Sequence, residues 1–281
     1  MIKTVCVAGA GTMGRGIALA AAMATYDVIL FDSYAPALES ASGHIEKDLS
    51  AMTAKGKISP EDFAAVLARL RFTGDISQCR ADLVIEAIIE SEDAKLKLFN
   101  SLSQYNSENC IFASNTSSLS IDSLQQKIPT PSRVAGLHFF NPAHIMKLVE
   151  VVRGSLTDEK IIETLLEVCR SMGKTAVVCR DAPGFIVNRV ARHYYLESMR
   201  ALEKNIASME DIDKIMEATG FKMGPFRLMD MIGMDINLAV SRSIYEAFKQ
   251  EKRFEPSAIQ IGKVNKGELG RKTGQGFYSY K

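Results

Sequence analysis

The chain has 281 residues, 47% of them hydrophobic and 24% charged, which suits two domains with a sizeable core and excludes the compositions of disordered or fibrous chains. A formal net charge of +1 excludes the broad basic or acidic field that nucleic acids and anionic membranes select. The five cysteines (Cys6, Cys79, Cys110, Cys169, Cys179) are odd in number with no C-x-x-C, and neither a signal-peptide pattern nor an apolar run of ~18 residues occurs, so a cytoplasmic protein with no membrane span, disulfide framework or metal site is expected.

Residues 2–8 are short, apolar and β-branched and predict a buried strand. Glycines follow, then a helix over Ile17 to Ala24 and a second strand over Asp27 to Phe31. Helical spacing covers Pro36 to Lys55 and Pro60 to Leu70, the latter capped by Ser59. Further strands are predicted at Asp82 to Ile89, Ile111 to Ser114, Val134 to His138, Leu148 to Val152 and Thr175 to Cys179. Helices fall at Asp93 to Leu102 and at Asp158 to Met172, with Thr157 as N-cap. Cys6 and Cys179 sit in apolar runs and read as core thiols. Strands alternating with helices imply an α/β, doubly wound, mostly parallel sheet. Beyond residue 183 only helices are predicted: Ile186 to Lys204, a segment opened by Ser208-x-x-Asp211 and ending near Gly220, Asp235 to Lys252, and Pro256 to Asn265. The expected domains are thus a Rossmann-like 1–183 and an all-helical 184–281.

Gly9-Ala10-Gly11-Thr12-Met13-Gly14 matches G-x-G-x-x-G between a strand and a helix, and Asp32 ends the next strand. Glycines allow a tight turn and close backbone approach to a pyrophosphate, and the helix N-terminus offers N–H donors and a positive dipole end. Asp32 would accept hydrogen bonds from ribose hydroxyls. A carboxylate there repels a 2′-phosphate, and Ser33 and Tyr34 follow it rather than cations, so NAD is favoured over NADP; FAD is the lesser alternative.

Of four histidines, His44, His144 and His193 read as surface or packing residues, whereas His138 ends a predicted strand. Ligands of open α/β sheets bind beyond the strands' carboxyl ends, where a histidine suits general-base work. Glu150 lies inside the apolar run L-V-E-V-V, where a carboxylate is out of place unless paired. It is the candidate partner of His138; the alternative is an edge-strand glutamate facing water. Asn115-Thr-Ser117-Ser118 follows another strand and brings hydroxyls to the same end, or forms an ordinary turn.

The motifs G-A-G-T-M-G-R-G-I-A (9–18), V-I-E-A-I-I-E (84–90), F-A-S-N-T-S-S-L (112–119), G-L-H-F-F-N-P (136–142), D-A-P-G-F-I-V-N-R (181–189), M-G-P-F (223–226) and G-R-K-T-G-Q-G-F-Y (270–278) run in order through the chain. The sequence resembles the L-3-hydroxyacyl-CoA dehydrogenase family, and its length is similar to bacterial 3-hydroxybutyryl-CoA dehydrogenases. The resemblance implies reversible hydride transfer between NAD and 3-hydroxyacyl-CoA in fatty-acid or butyrate metabolism, with acetoacetyl-CoA and 3-hydroxybutyryl-CoA as the expected substrate pair. It implies His138 as base, Glu150 as its partner, and Ser117 and Asn188 on the reacting oxygen. It places Asn141, Glu90, Lys95 and Lys272, with the glycine turn, Asp32 and Ser117, at NAD, and Lys55 with Ser117 at CoA. It also implies a homodimer through the helical domain. Alone, Lys55, Lys95 and Lys272 would each read as solvated surface lysines. Relatives often carry serine where Asp48 stands, and an aspartate is unhelpful beside CoA phosphates.

Three other readings compete. A hydrolase would use Ser117, His138 and Glu150, but Ser117 lies outside a G-x-S-x-G elbow. A dehydrogenase of a free hydroxy acid or sugar acid and a non-catalytic NAD-binding protein share the fold.

Overall fold

The computed structural model describes residues 1–280. The chain divides into two compact units, Met1–Ala182 and Pro183–Lys281. In chain order the first holds β1 (Thr4–Ala8), α1 (Thr12–Met23), β2 (Asp27–Phe31), α2 (Ala35–Ala54), α3 (Pro60–Ala68), β3 (Leu70–Thr73), β4 (Leu83–Glu86), α4 (Glu92–Ser103), β5 (Ile111–Ser114), α5 (Ile121–Gln125), β6 (Val134–Phe139), β7 (Leu148–Arg153), α6 (Glu159–Ser171) and β8 (Thr175–Arg180).

The strands form one sheet in the order β3-β2-β1-β4-β5-β6-β7-β8. Pairing is parallel from β3 through β6; β7 runs antiparallel to β6, and β8 is parallel to β7. The doubly wound, mostly parallel sheet expected from the sequence is therefore present. The chain leaves β1 toward β2 on one side and reaches β4 on the other, so a crevice opens at the carboxyl ends of β1 and β4. Helices α1, α2 and α6 cover the sheet with Ile17, Leu19, Ile45, Leu49, Ile162 and Leu165, all buried. Central strands are buried on both faces, which is why they read as continuous apolar runs rather than as alternation.

The second unit holds α7 (Val187–Glu203), α8 (Met209–Ala218), α9 (Pro225–Ile232), α10 (Met234–Ala247) and α11 (Ala258–Asn265). Its core joins Tyr195, Leu196, Met199, Phe226, Met229, Met234 and Phe277. Asp230, itself buried, accepts the N–H groups of Phe277 and Tyr278 and the Tyr280 hydroxyl, and so anchors the C-terminal segment.

Several local expectations are corrected. Helix α1 starts at Thr12 rather than Ile17, because Gly14 and Gly16 belong to it despite their low propensity. Leu70 opens an edge strand rather than closing a helix; four residues are too few for a visible period. Asp158, not Thr157, occupies the N-cap of α6: the Thr157 hydroxyl donates to Val134 O and accepts from Gly154 N, a tertiary role that overrides capping. The short helices α5 and α9 were not legible. Helix α10 ends at Ala247, well before Lys252, where Lys249 and Gln250 turn left-handed. Cys6 is buried, but Cys179 lies half-exposed on the edge strand β8. None of the described helices is long and apolar enough to cross a membrane, and no described cluster of His, Cys, Asp and Glu could hold a metal ion.

Candidate active site

The glycine turn joins β1 to α1. Gly9 has φ +110°, and a Cβ there would strike Ala87 O at 2.5 Å; a Cβ on Gly14 would lie 1.7 Å from Gly9 O. Both positions are closed to side chains, which brings the first turn of α1 hard against the end of β1. Gly11 differs: nothing lies within 4 Å of its Cβ position. As N-cap of α1 it makes no side-chain cap, and no acidic residue occupies the first turn. The helix N–H groups and dipole therefore face open space, which fits a pyrophosphate. Beside it, Asp32 Oδ2 accepts Ala10 N–H at 2.8 Å and Oδ1 accepts Tyr34 N–H at 2.9 Å. The carboxylate is thus fixed at the end of β2, one strand from the turn, and remains partly exposed.

A buried charge network lies at the ends of β4 and β5. Lys95 on α4 is 1% exposed, so it is not a surface lysine; its Nζ lies 2.6 Å from Glu86 Oε1 and 3.1 Å from Glu90 Oε2. Glu86, fully buried, also accepts Ile88 N–H and the Ser114 hydroxyl. Glu90 Oε1 gathers the Thr116 and Ser118 hydroxyls and the N–H groups of Ser117 and Ser118. Burial alone would raise the Glu90 carboxyl, but Lys95 and these hydroxyls outweigh it and hold the pKa below its ordinary value. Glu90 thereby clamps the loop that carries Ser117. Sequence reading named Glu90 and Lys95 but missed Glu86. The signal was present, a carboxylate inside the apolar run V-I-E-A-I-I, the same cue that singled out Glu150.

His138 and Glu150 are register partners across the antiparallel β6–β7 pair. Directly opposed residues of such a pair point to the same face, and Nδ1 of His138 lies 2.7 Å from Glu150 Oε2. Both side chains are buried, so Glu150 does not face water. The Phe140 ring packs on the imidazole with centroids 4.5 Å apart. Asn115 Oδ1 accepts Phe139 N–H and ties the end of β5 to that of β6, which sets the Ser117 loop beside the histidine strand. Asn141 follows β6, exposed, and its peptide bond to Pro142 is cis. Lys174, also missed, is buried and donates to Ala143 O at 2.6 Å and Met146 O at 2.9 Å, pinning the loop after Asn141; burial pushes its ammonium below the ordinary pKa.

The remaining candidates scatter. Lys55 is exposed at the C-cap of α2. Asp48, about two turns earlier on the same helix, has an Oδ2 3.8 Å from His144 Nε2. Burial pushes His144 down, and Asp48 only partly offsets it. His44 bonds the Ser40 carbonyl of its own helix, and His193 stacks near Phe254. In the second unit Asn188 lies in the first turn of α7, part-buried. Lys272 is bound to Asp235 on α10 by two contacts of 2.5 and 2.6 Å.

Residues 4–182 match the family described as "3-hydroxyacyl-CoA dehydrogenase, NAD binding domain", and residues 184–280 match "3-hydroxyacyl-CoA dehydrogenase, C-terminal domain". The chain is 46% identical over its whole length to 3-hydroxyadipyl-CoA dehydrogenase of Escherichia coli, of which it spans 59%. It is 40% identical to the mitochondrial hydroxyacyl-coenzyme A dehydrogenase of Rattus norvegicus, covering 100% of this chain and 92% of the relative. The crystal structure of (S)-3-hydroxybutyryl-CoA dehydrogenase from Ralstonia eutropha superposes with a TM-score of 0.95 at 36% identity, over the full length of both chains. Both domain matches and both near-complete alignments converge: the chain belongs to the NAD-dependent 3-hydroxyacyl-CoA dehydrogenase family.

Proposed function

We propose that this chain interconverts (S)-3-hydroxyacyl-CoA and 3-oxoacyl-CoA thioesters, with 3-hydroxybutyryl-CoA and acetoacetyl-CoA among its substrates, as part of fatty-acid or butyrate metabolism in the cytoplasm. The observation that carries the reading is the buried His138–Glu150 pair at 2.7 Å, at the edge of a sheet end already equipped for a dinucleotide. NAD, when bound, supplies the hydride acceptor. His138 removes the proton of the C3 hydroxyl as hydride leaves C3, and the C3–O bond becomes a carbonyl; in reduction the protonated His138 returns it. Glu150 on Nδ1 holds the ring orientation and stabilises the imidazolium, so the exchange runs through Nε2. Ser117, on the loop clamped by Glu90, and Asn188, by resemblance, polarise the C3 oxygen.

Gly9, Ala10, Gly11, Thr12, Met13 and Gly14 are assigned to the pyrophosphate, and Asp32 to the adenosine ribose. Asn141, Lys272 and the Glu90–Lys95 pair are assigned to the rest of NAD, with Lys95 acting chiefly through Glu90. Lys55 is assigned to CoA, where a compact cation suits phosphates. Residues 184–281 are the proposed substrate and dimerisation domain. They expose several large apolar side chains, among them Ile186, Val190, Ile206, Ile215 and Phe221, that a second copy could cover.

The test is NADH consumption with acetoacetyl-CoA, run beside acyl-ester hydrolysis without NADH and against free 3-oxo acids. NADH-linked turnover of the thioester is expected; hydrolysis alone, or turnover of the free acids only, would discard the assignment. Light scattering on the eluted protein reads the dimer directly.

A further inference from the structure

The buried strong base of the second unit has no acidic partner. Arg192 on α7 is 2% exposed. Its Nη1 donates to Asn237 O at 2.9 Å, Asn237 Oδ1 at 3.2 Å and Ser241 Oγ at 2.9 Å, all neutral groups of α10. Its guanidinium also lies over the Tyr195 ring at 5.1 Å. Nε is buried and has no acceptor, and Gln260 Oε1, in the same cluster, has no donor. Gln260 Nε2 supports Asn237 Oδ1 and Ser241 from α11 and brings no charge. Among the described residues no carboxylate lies within ion-pair distance of Arg192.

Buried charges are ordinarily paired, and an uncompensated one is costly. Burial here is severe enough to push the guanidinium down to about 10. A hydrocarbon side chain would fill the space without that cost. The position of the charge along α7 suggests its use. Arg192 follows Asn188 by four residues, so the two project from the same helix face, one turn apart. One turn is about 5.4 Å, a span comparable to the distance from C3 to the far end of a medium-length acyl chain. A guanidinium also offers the planar, bidentate donor set that a carboxylate matches.

We infer that Arg192 receives a carboxylate at the distal end of the substrate's acyl chain, so that the preferred substrates are CoA thioesters of 3-hydroxy dicarboxylic acids. The inference rests on the reading of Asn188 and the thioester substrate given above. The substrate would bring the missing counter-ion, and Arg192 would set chain-end specificity without touching the reacting carbon. A chain ending in methyl leaves the buried cation unpaired, and sites built around a polar group reject analogues that lack it.

The experiment compares two 3-oxoacyl-CoA thioesters of equal length, 3-oxoadipyl-CoA and 3-oxohexanoyl-CoA, with NADH and the full chain. Wild type is expected to favour the carboxylate-ended substrate by about 10²-fold or more in kcat/KM. In Arg192→Met and Arg192→Gln that ratio is expected to collapse toward unity, mainly through a higher KM for 3-oxoadipyl-CoA, with Arg192→Lys intermediate. Misfolding lowers both rates together and leaves the ratio alone. A wild-type ratio near unity, or a ratio that survives Arg192→Met in folded protein, overturns the assignment of Arg192. Loss of NADH-linked turnover on every thioester, acetoacetyl-CoA included, overturns instead the reading on which it rests.

Discussion

Lys95 and Arg192 are the two most deeply buried cations of the two units, and they are treated in opposite ways. Lys95 meets two carboxylates, and both carboxylates are themselves saturated by hydroxyl and N–H donors from the β4 and β5 ends. Arg192 meets only neutral groups, amide, carbonyl and hydroxyl oxygens and the Tyr195 ring, and keeps a buried Nε without an acceptor. The first arrangement is complete within the protein: its charges fix a loop and need nothing further. The second is complete only if something outside the chain supplies the negative charge. A buried ion that is internally satisfied does structural work; one that is not points to a ligand.

Substitutions can break this contrast. The largest effect is expected at the chemistry itself. His138→Gln should lower kcat with acetoacetyl-CoA by about 10³-fold, roughly 4 kcal/mol in the barrier, while NADH still binds by fluorescence titration. Retention of most turnover would remove His138 from the base role. Next comes Lys95→Met. It leaves Glu86 and Glu90 facing each other without a counter-ion, and denaturant unfolding should show a loss of about 3–5 kcal/mol. Arg192→Met removes an uncompensated charge instead, so its stability should change by no more than about 1 kcal/mol in either direction. Similar losses in the two variants would mean that both cations are equally satisfied within the protein. Smaller still is Gly11→Ala. The space around that position is open, so the unfolding free energy should hold within the ~0.5 kcal/mol scatter of neutral surface changes. NADH affinity should nonetheless fall, because the methyl group occupies the phosphate approach. Unchanged NADH binding would take the pyrophosphate away from this turn.

Much of this was legible in the sequence because the cues were local. The glycine turn, Asp32 and the apolar strands all announce themselves within a few residues. His138 and Glu150 were found as separate oddities, a histidine at a strand end and an acid in an apolar run. Their contact depends on the antiparallel step between β6 and β7, which no short window reveals. Glu86 carries the same cue as Glu150, but its partners, Lys95, Ser114 and the Ile88 N–H, come together only in the folded sheet end. Lys174 escaped because its acceptors, Ala143 O and Met146 O, are backbone atoms with no sequence signature. Arg192 falls inside the predicted helix Ile186 to Lys204 with no local cue of its own. Only packing against α10 and α11 reveals that it is enclosed, and burial cannot be read from residue type when a polar side chain faces polar neighbours.

The gentlest perturbation is pH, and it acts on the satisfied network rather than on the unpaired cation. The folded pKa of Glu90 lies below its unfolded value, near ~4.3. In that case the unfolded chain binds the proton first, so the clamp contributes its full stability above the unfolded pKa. The contribution then disappears as pH falls through the lower, folded value. NADH affinity and loop order should accordingly be flat from neutrality to about pH 5 and decline only in the acid range below the ordinary carboxylate pKa. Glu90→Gln removes the charge at every pH but keeps an acceptor for the Ser117 and Ser118 N–H groups. It should therefore show weakened NADH binding at neutral pH and lose this acid-range decline. Arg192 cannot contribute in that window, since its guanidinium stays protonated to about 10. Hydrogen exchange of the 115–119 amides against pH, in wild type and Glu90→Gln, separates the two cases. A decline that persists in the variant would mean that another carboxylate, with Glu86 the first candidate, holds the loop.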